Sequence, residues 1–222
     1  MVQFPRGSEV LVFDLEAYVP EEDRGRRRGA SLAVNPFRPG HALLGGVFYG
    51  VRPQTGEVWT SPEFEHHWMW DEGGEEETVC SVYEIFAGMR RRAGGKRLSD
   101  ADPVAAGVGI SMFDMPFLLA KFLSFAVAPP EDVYEALGKV RVIDLAVAGI
   151  GFVPTGWPEL YPRPHNVLAD ALLPEREEKP TGKVVWDMVD AGEYAGVAKR
   201  CEGEVREMAE MAERMLRGKE GS

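Results

Sequence analysis

Val10-Leu-Val-Phe-Asp14-Leu-Glu16 opens as an apolar run and closes with two carboxylates one residue apart. A short apolar run of this kind reads as a buried strand. In a strand, residues two apart share a face, so Asp14 and Glu16 stand side by side where the strand leaves the core. Two like charges that close repel one another unless something positive holds them. A divalent ion does so, and a set of oxygen ligands suits Mg²⁺ or Mn²⁺. A strand running out into a polar loop leaves the same pattern, so the Asp-x-Glu pair is weak on its own.

Outward from this strand, Glu21 to Arg28 is a charge-dense loop. Ser31 to Asn35 and Leu44 to Arg52 carry residues suited to strands, Gln54-Thr-Gly56 marks a turn, and Glu57 to Met69 reads as the return strand of a hairpin. Glu75 to Arg92 has Val79, Val82, Tyr83, Ile85, Phe86 and Met89 at helical spacing and is stopped by Gly94-Gly95. Pro103 to Ser111 reads as a short buried strand, Pro116 to Val127 as an apolar helix and Val140 to Val147 as a strand, with Asp144 structural near its end. Gly149 to Pro164 and Glu175 to Gly182 are loops. Helices are expected over Asn166 to Leu173, Lys183 to Ala191 and Glu193 to Arg217. Strands come first, then strand and helix alternate, then helices follow. That order predicts one α/β or α+β domain around a mixed sheet.

The 222 residues are 45% hydrophobic and 27% charged, which suits a globular chain. Thirty-six acidic against 25 basic residues leave a net charge of −11. That charge argues against broad phosphate contact with duplex DNA, but it is compatible with a small nucleic-acid site built on metal ions. Cys80 and Cys201 are too few and too far apart for a disulfide framework or a zinc site, and read as two buried thiols in a reducing compartment. The first ten residues hold no apolar signal core. The longest uncharged stretch, Leu145 to Pro158, falls short of the roughly 20 residues a membrane span needs. A cytoplasmic protein is expected, with no membrane contact.

Two further acids carry interest. In Gly109-Ile-Ser-Met-Phe-Asp114-Met-Pro-Phe117 a strand ends, an acid follows and a helix begins, an arrangement that helix capping alone also explains. In the C-terminal helix, Tyr194, Val197, Cys201, Val205, Met208, Ala212 and Met215 form one apolar stripe. Glu204 lies on one rim of that stripe and Glu202 on the other, so spacing does not choose between them. Glu65-His-His-Trp-Met-Trp-Asp71 puts adjacent histidines on opposite faces. It reads as a sheet edge with packed aromatics, and less readily as a base-stacking platform. Gly107-Val-Gly109 and Gly182-Lys183 lack the remainder of a dinucleotide fingerprint or phosphate loop.

Taken in order, Phe13-Asp-Leu-Glu16, Ser111-Met-Phe-Asp-Met-Pro-Phe-Leu118 and Arg200-Cys-Glu-Gly-Glu-Val205 resemble the three motifs of the DEDD family of 3′–5′ exonucleases. The nearest likeness is to predicted exonucleases similar to the proofreading domain of family B DNA polymerases, and it covers residues 8 to 216. The resemblance implies an α/β, ribonuclease-H-like fold with a mixed central sheet flanked by helices. It implies a single domain over residues 1–222, with 1–7 and 218–222 as flexible ends. It further implies a hydrolase acting on 3′ ends of single-stranded DNA or RNA, with two Mg²⁺ or Mn²⁺ ions held by Asp14, Glu16, Asp114 and Glu204. Three positions depart from the pattern. Glu204 stands where aspartate is usual, Arg200 where a tyrosine orients the attacking water, and Ile110-Ser111 near the asparagine of the second motif. The alternative implied by these departures is a catalytically impaired domain of the same fold, acting as a nucleic-acid-binding or protein-assembly module. A rival register also exists. His165-Asn-Val-Leu-Ala-Asp170 resembles the histidine-type third motif, which would make His165 the base and Asp170 the fourth acid.

Overall fold

The computed structural model describes residues 8–25, 33–53, 55–60, 63–93, 103–153, 161–175 and 184–217. The expectations for the two chain ends, residues 26–28 of the 21–28 loop, the Gly94-Gly95 stop, residues 154–160 of the 149–164 loop and residues 176–182 of the 175–182 loop lie outside these residues.

The quoted run forms β1 (Val10–Tyr18). It is followed by a short helix α1 (Glu21–Arg24), where a loop was expected, and by β2 (Ala42–Arg52). The next segments are β3 (Glu57–Val58), β4 (Glu65–Trp68), α2 (Met69–Glu72) and α3 (Glu75–Ala93). Then come β5 (Val104–Gly107), α4 (Asp114–Ser124), α5 (Pro130–Val133) with a π-turn over Tyr134–Gly138, and β6 (Arg141–Asp144). The remaining helices are α6 (Leu145–Ala148), α7 (His165–Leu172), α8 (Val184–Asp190) and α9 (Tyr194–Arg217).

The six strands among the described residues make one mixed sheet in the order β3-β2-β1-β5-β6, with β4 also paired to β2. β2 runs antiparallel to β1, β3 and β4, while β1, β5 and β6 run parallel. Helices cover both faces. Val10 and Val12 pack with α7, α8 and α9, burying Leu168, Val185, Val197, Cys201 and Val205. Leu11, Phe13 and Leu15 point the other way, against Val82, Phe86, Phe117 and Leu118 of α3 and α4. This is the α/β arrangement with a flanked mixed sheet that the sequence led us to expect. Because residues two apart share a face, Asp14 and Glu16 fall on the α9 side.

Several expectations are corrected. Val34 and Asn35 are not in a strand. Asn35 starts a turn instead: its carbonyl accepts from Arg38 N–H and its side chain from Phe37 N–H. The expected single return strand is split into β3 and β4, and its last residue, Met69, starts α2. The strand expected to reach Val147 stops at Asp144, because the Asp144 carboxylate caps α6 through Ala146 N–H. Cys80 is exposed, not buried. It neighbours Val79 of the apolar stripe, and one residue along a helix turns about 100° away from the core.

Candidate metal centre

Three features of the sheet create the site. β1 pairs with β5 only over Val10–Val12, so beyond Val12 that edge of β1 has no strand beside it. Between Glu16 and Ala17 the pairing with β2 shifts register, the kind of irregularity that re-aims side chains near functional sites. Opposite Glu16 stands Gly45, with φ +138°, where a Cβ would lie 1.9 Å from the His67 carbonyl oxygen. Only glycine fits that turn of the strand.

Asp114, the first residue of α4, fills the edge that β5 leaves open. It is only 4% exposed, and its carboxylate accepts from the backbone N–H of Leu15, the residue between Asp14 and Glu16. Its Oδ1 is buried and has no protein partner. The turn leading to Asp114 is held by Asp144, which accepts from Gly109 N–H (2.9 Å), Ser111 N–H (3.1 Å) and the Ser111 hydroxyl. Asp144 is thus structural, as expected. The fourth side of the site is α9. Cys201, fully buried on the helix's apolar face, lies with its Sγ 3.6 Å from both the backbone oxygen and Oδ2 of Asp14. One turn further, Glu204 pairs with Arg200 at 2.7 Å.

These groups act on one another through their charges. Burial, and then the charges of Glu204, Glu16 and Asp114, push the Asp14 carboxyl well above its usual range, against a smaller pull from the Cys201 thiol. Glu16 is pushed up to about 8 by burial and by Glu204, while Arg200 pulls it down. Burial raises Asp114 to about 7, opposed by the N–H groups of Asp114 and Leu15. Burial, followed by Asp14, Glu16 and Glu204, raises the Cys201 thiol. Packed carboxylates that are hard to ionise together are the setting in which a divalent cation binds, because its charge reverses the local field. Asp14, Glu16 and Cys201 each place a ligand atom within 4.8 Å of the others. The unpartnered Oδ1 of Asp114 beside them fits the same cation.

Among the described residues, the donors gathered within 4.8 Å are thus those of Asp14, Glu16 and Cys201, while Asp114 and Glu204 act on both acids through their charges. Glu202, on the opposite rim, faces His66 and Arg206 instead. The rival pair lies elsewhere. His165 Nε2 is 2.9 Å from Glu207 Oε2, joining α7 to α9, and Asp170 is exposed on α7. Sequence reading passed over Cys201 as a site residue. The signal was present, since Cys201 and Glu204 are three apart on one helix and face the same neighbourhood. The partner that holds Asp114, the Leu15 N–H, carries no sequence signal at all.

Outside the site, Trp68 is buried and stacks on Trp70, which stacks on Tyr194, giving the packed aromatic edge that was expected. No helix among the described residues is long and apolar enough to cross a membrane.

No family model matches the chain, and no curated protein matches it. Among solved structures, the chain is similar to E. coli exonuclease I in complex with a dT13 oligonucleotide. The TM-score is 0.44 and the identity 12%, over 94% of this chain. The chain spans 40% of that protein's length.

Proposed function

We propose that this chain is a metal-dependent 3′–5′ exonuclease that hydrolyses phosphodiester bonds at 3′ ends of single-stranded nucleic acid. The observation that supports the reading is the pair Asp14 and Glu16 at the end of β1, raised by the charges of Glu204 and Asp114, with the buried Asp114 Oδ1 unpartnered. These four acids would hold Mg²⁺ or Mn²⁺, as a pair of ions in the two-metal arrangement. Ions held there would supply the chemistry of activating water and of offsetting charge on the leaving 3′ oxygen. The chain's own part is placement. β1 sets Asp14 and Glu16 side by side, the Leu15 N–H fixes Asp114, and α9 brings Glu204 across. An arginine guanidinium offers only donors, so Arg200 can pair with carboxylate or phosphate oxygens but cannot serve as the base that takes a proton from water.

The Arg200–Glu204 pair favours one second reading, a domain of the same fold whose fourth acid is engaged by an arginine and which binds without cutting. A time course on 5′-labelled single-stranded DNA and RNA with Mn²⁺, beside Asp14→Ala, separates the two. Shortening from the 3′ end, absent in the variant, supports the exonuclease, and the better substrate names the sugar preference. Equal cleavage by the variant rules it out. Absence of cleavage together with a Mn²⁺-dependent rise in Tm supports the binding module.

A further inference from the structure

We infer that Cys201 is itself a metal ligand, so that one ion position in this site carries a sulfur donor and takes a thiophilic ion such as Zn²⁺ or Co²⁺ in preference to Mg²⁺. The inference rests on the reading that these acids hold a divalent cation, and it adds the identity of the ion.

The argument is geometric. An ion with a sulfur ligand at about 2.3 Å and a carboxylate oxygen at about 2.1 Å, set at tetrahedral angles, separates the two donors by about 3.6 Å. Cys201 Sγ and Asp14 Oδ2 stand 3.6 Å apart. Glu16 supplies the third donor, with all three atoms within 4.8 Å of one another. Asp114, 4% exposed and with Oδ1 unpartnered, is an independent sign of a cation-binding position, and its charge acts on both Asp14 and Glu16. Glu204 is paired to Arg200 at 2.7 Å. The donors already gathered without moving that ion pair are therefore two carboxylates and one thiol. Soft sulfur selects zinc-like ions, whereas Mg²⁺ binds oxygen and gives up its water reluctantly. On coordination the Cys201 thiol releases its proton to solvent as the sulfur–metal bond forms.

Co²⁺ is the probe, because a thiolate ligand gives it a near-ultraviolet charge-transfer absorption that oxygen ligands do not. The full chain, reduced and free of chelator, is titrated with Co²⁺, and then with Zn²⁺ and Mn²⁺ in competition. The expected result is a charge-transfer band at one equivalent. The band persists in Cys80→Ser and disappears in both Cys201→Ser and Asp14→Asn. Zn²⁺ affinity should fall in Cys201→Ser by at least about tenfold, the cost of losing even an outer partner of a metal ligand, with Mn²⁺ affinity changing far less. Stoichiometric Co²⁺ binding without the band overturns the sulfur ligand and leaves the acid site standing. A band that follows Cys80 overturns it equally. Failure of Co²⁺, Zn²⁺ and Mn²⁺ alike to bind the unmodified chain removes the metal site and this inference together.

Discussion

Arg200 Nη2 lies 2.7 Å from Glu204 Oε1, one helical turn away on α9, and its positive charge also acts on Glu16. A fixed cation thus sits among carboxylates that would otherwise repel one another. Both partners of the pair are largely shielded from water. Arg200→Ala should lower the stability of the metal-free chain by about 2 kcal/mol, between the exposed and buried limits for an ion pair. The same variant should gain more Tm from Mn²⁺ than the parent does, since the ion then replaces the lost charge. Denaturant titrations with and without Mn²⁺ check both parts, and equal Mn²⁺ gains in parent and variant would show that Arg200 does not share the ion's position.

The pH dependence has a definite sign. Glu16 moves from 4.5 to about 8 and Asp114 from 3.8 to about 7 on folding. Both folded values lie above the unfolded ones. Through that window the folded chain keeps protons that the unfolded chain has released, so metal-free stability falls as pH rises from about 4 to about 8. A bound cation ionises these groups and releases the protons, so Mn²⁺ affinity should climb between about pH 6 and about pH 8. Calorimetry in buffers of different ionisation enthalpy measures the protons released. A Mn²⁺ affinity that stays flat across that range contradicts the assignment of Glu16 and Asp114 to the ion.

Gly46 faces Leu15 across the β1–β2 pair, and a Cβ there would stand 2.5 Å from the Asp14 backbone oxygen and 2.7 Å from Leu15 Cδ2. Gly46→Ala should cost about 1–3 kcal/mol through overpacking. Because the clash is with the backbone that carries Asp14, metal affinity should fall as well. A variant that loses stability but keeps the parent's Mn²⁺ affinity would mean that β1 yields without moving its acids.

His165 and Asp170 supply a control. His165 is tied to Glu207, and Asp170 is exposed on α7. Asp170→Asn should leave the proposed nuclease activity at the parent level, and His165→Ala should cost only about 1 kcal/mol of stability, the worth of one hydrogen bond. If either change abolishes cleavage in a folded protein, the histidine-type register is the correct one.

Much of the architecture was legible in the sequence because apolar spacing reports burial directly. The run before Asp14, the stripe of α3 and the stripe of α9 each occupy the faces that their periodicity assigns. The misreadings fall where a local hydrogen bond overrides that spacing. Asp144 turns a strand into a helix start, and Asn35 makes a turn where a strand was expected. Within the site, Asp14, Glu16 and Asp114 stood out as acids at element ends. The choice of Glu204 over Glu202 depended on the packing of α9 on β1, which one helix's spacing does not contain. The role of the Leu15 N–H depended on where the β1–β5 pairing stops, a property of two strands that neither reveals alone.

Cys201 reaches Asp14 across 187 residues of chain, and Glu204 lies beyond it. Closing so long a loop is slow, and contacts of this kind form late in folding. A chain still emerging from the ribosome carries β1 and its two acids, but the opposite wall is missing until α9 docks. Assembly of the proposed ligand set and completion of the fold are therefore the same event: a half-made or C-terminally clipped copy lacks Cys201 and Glu204.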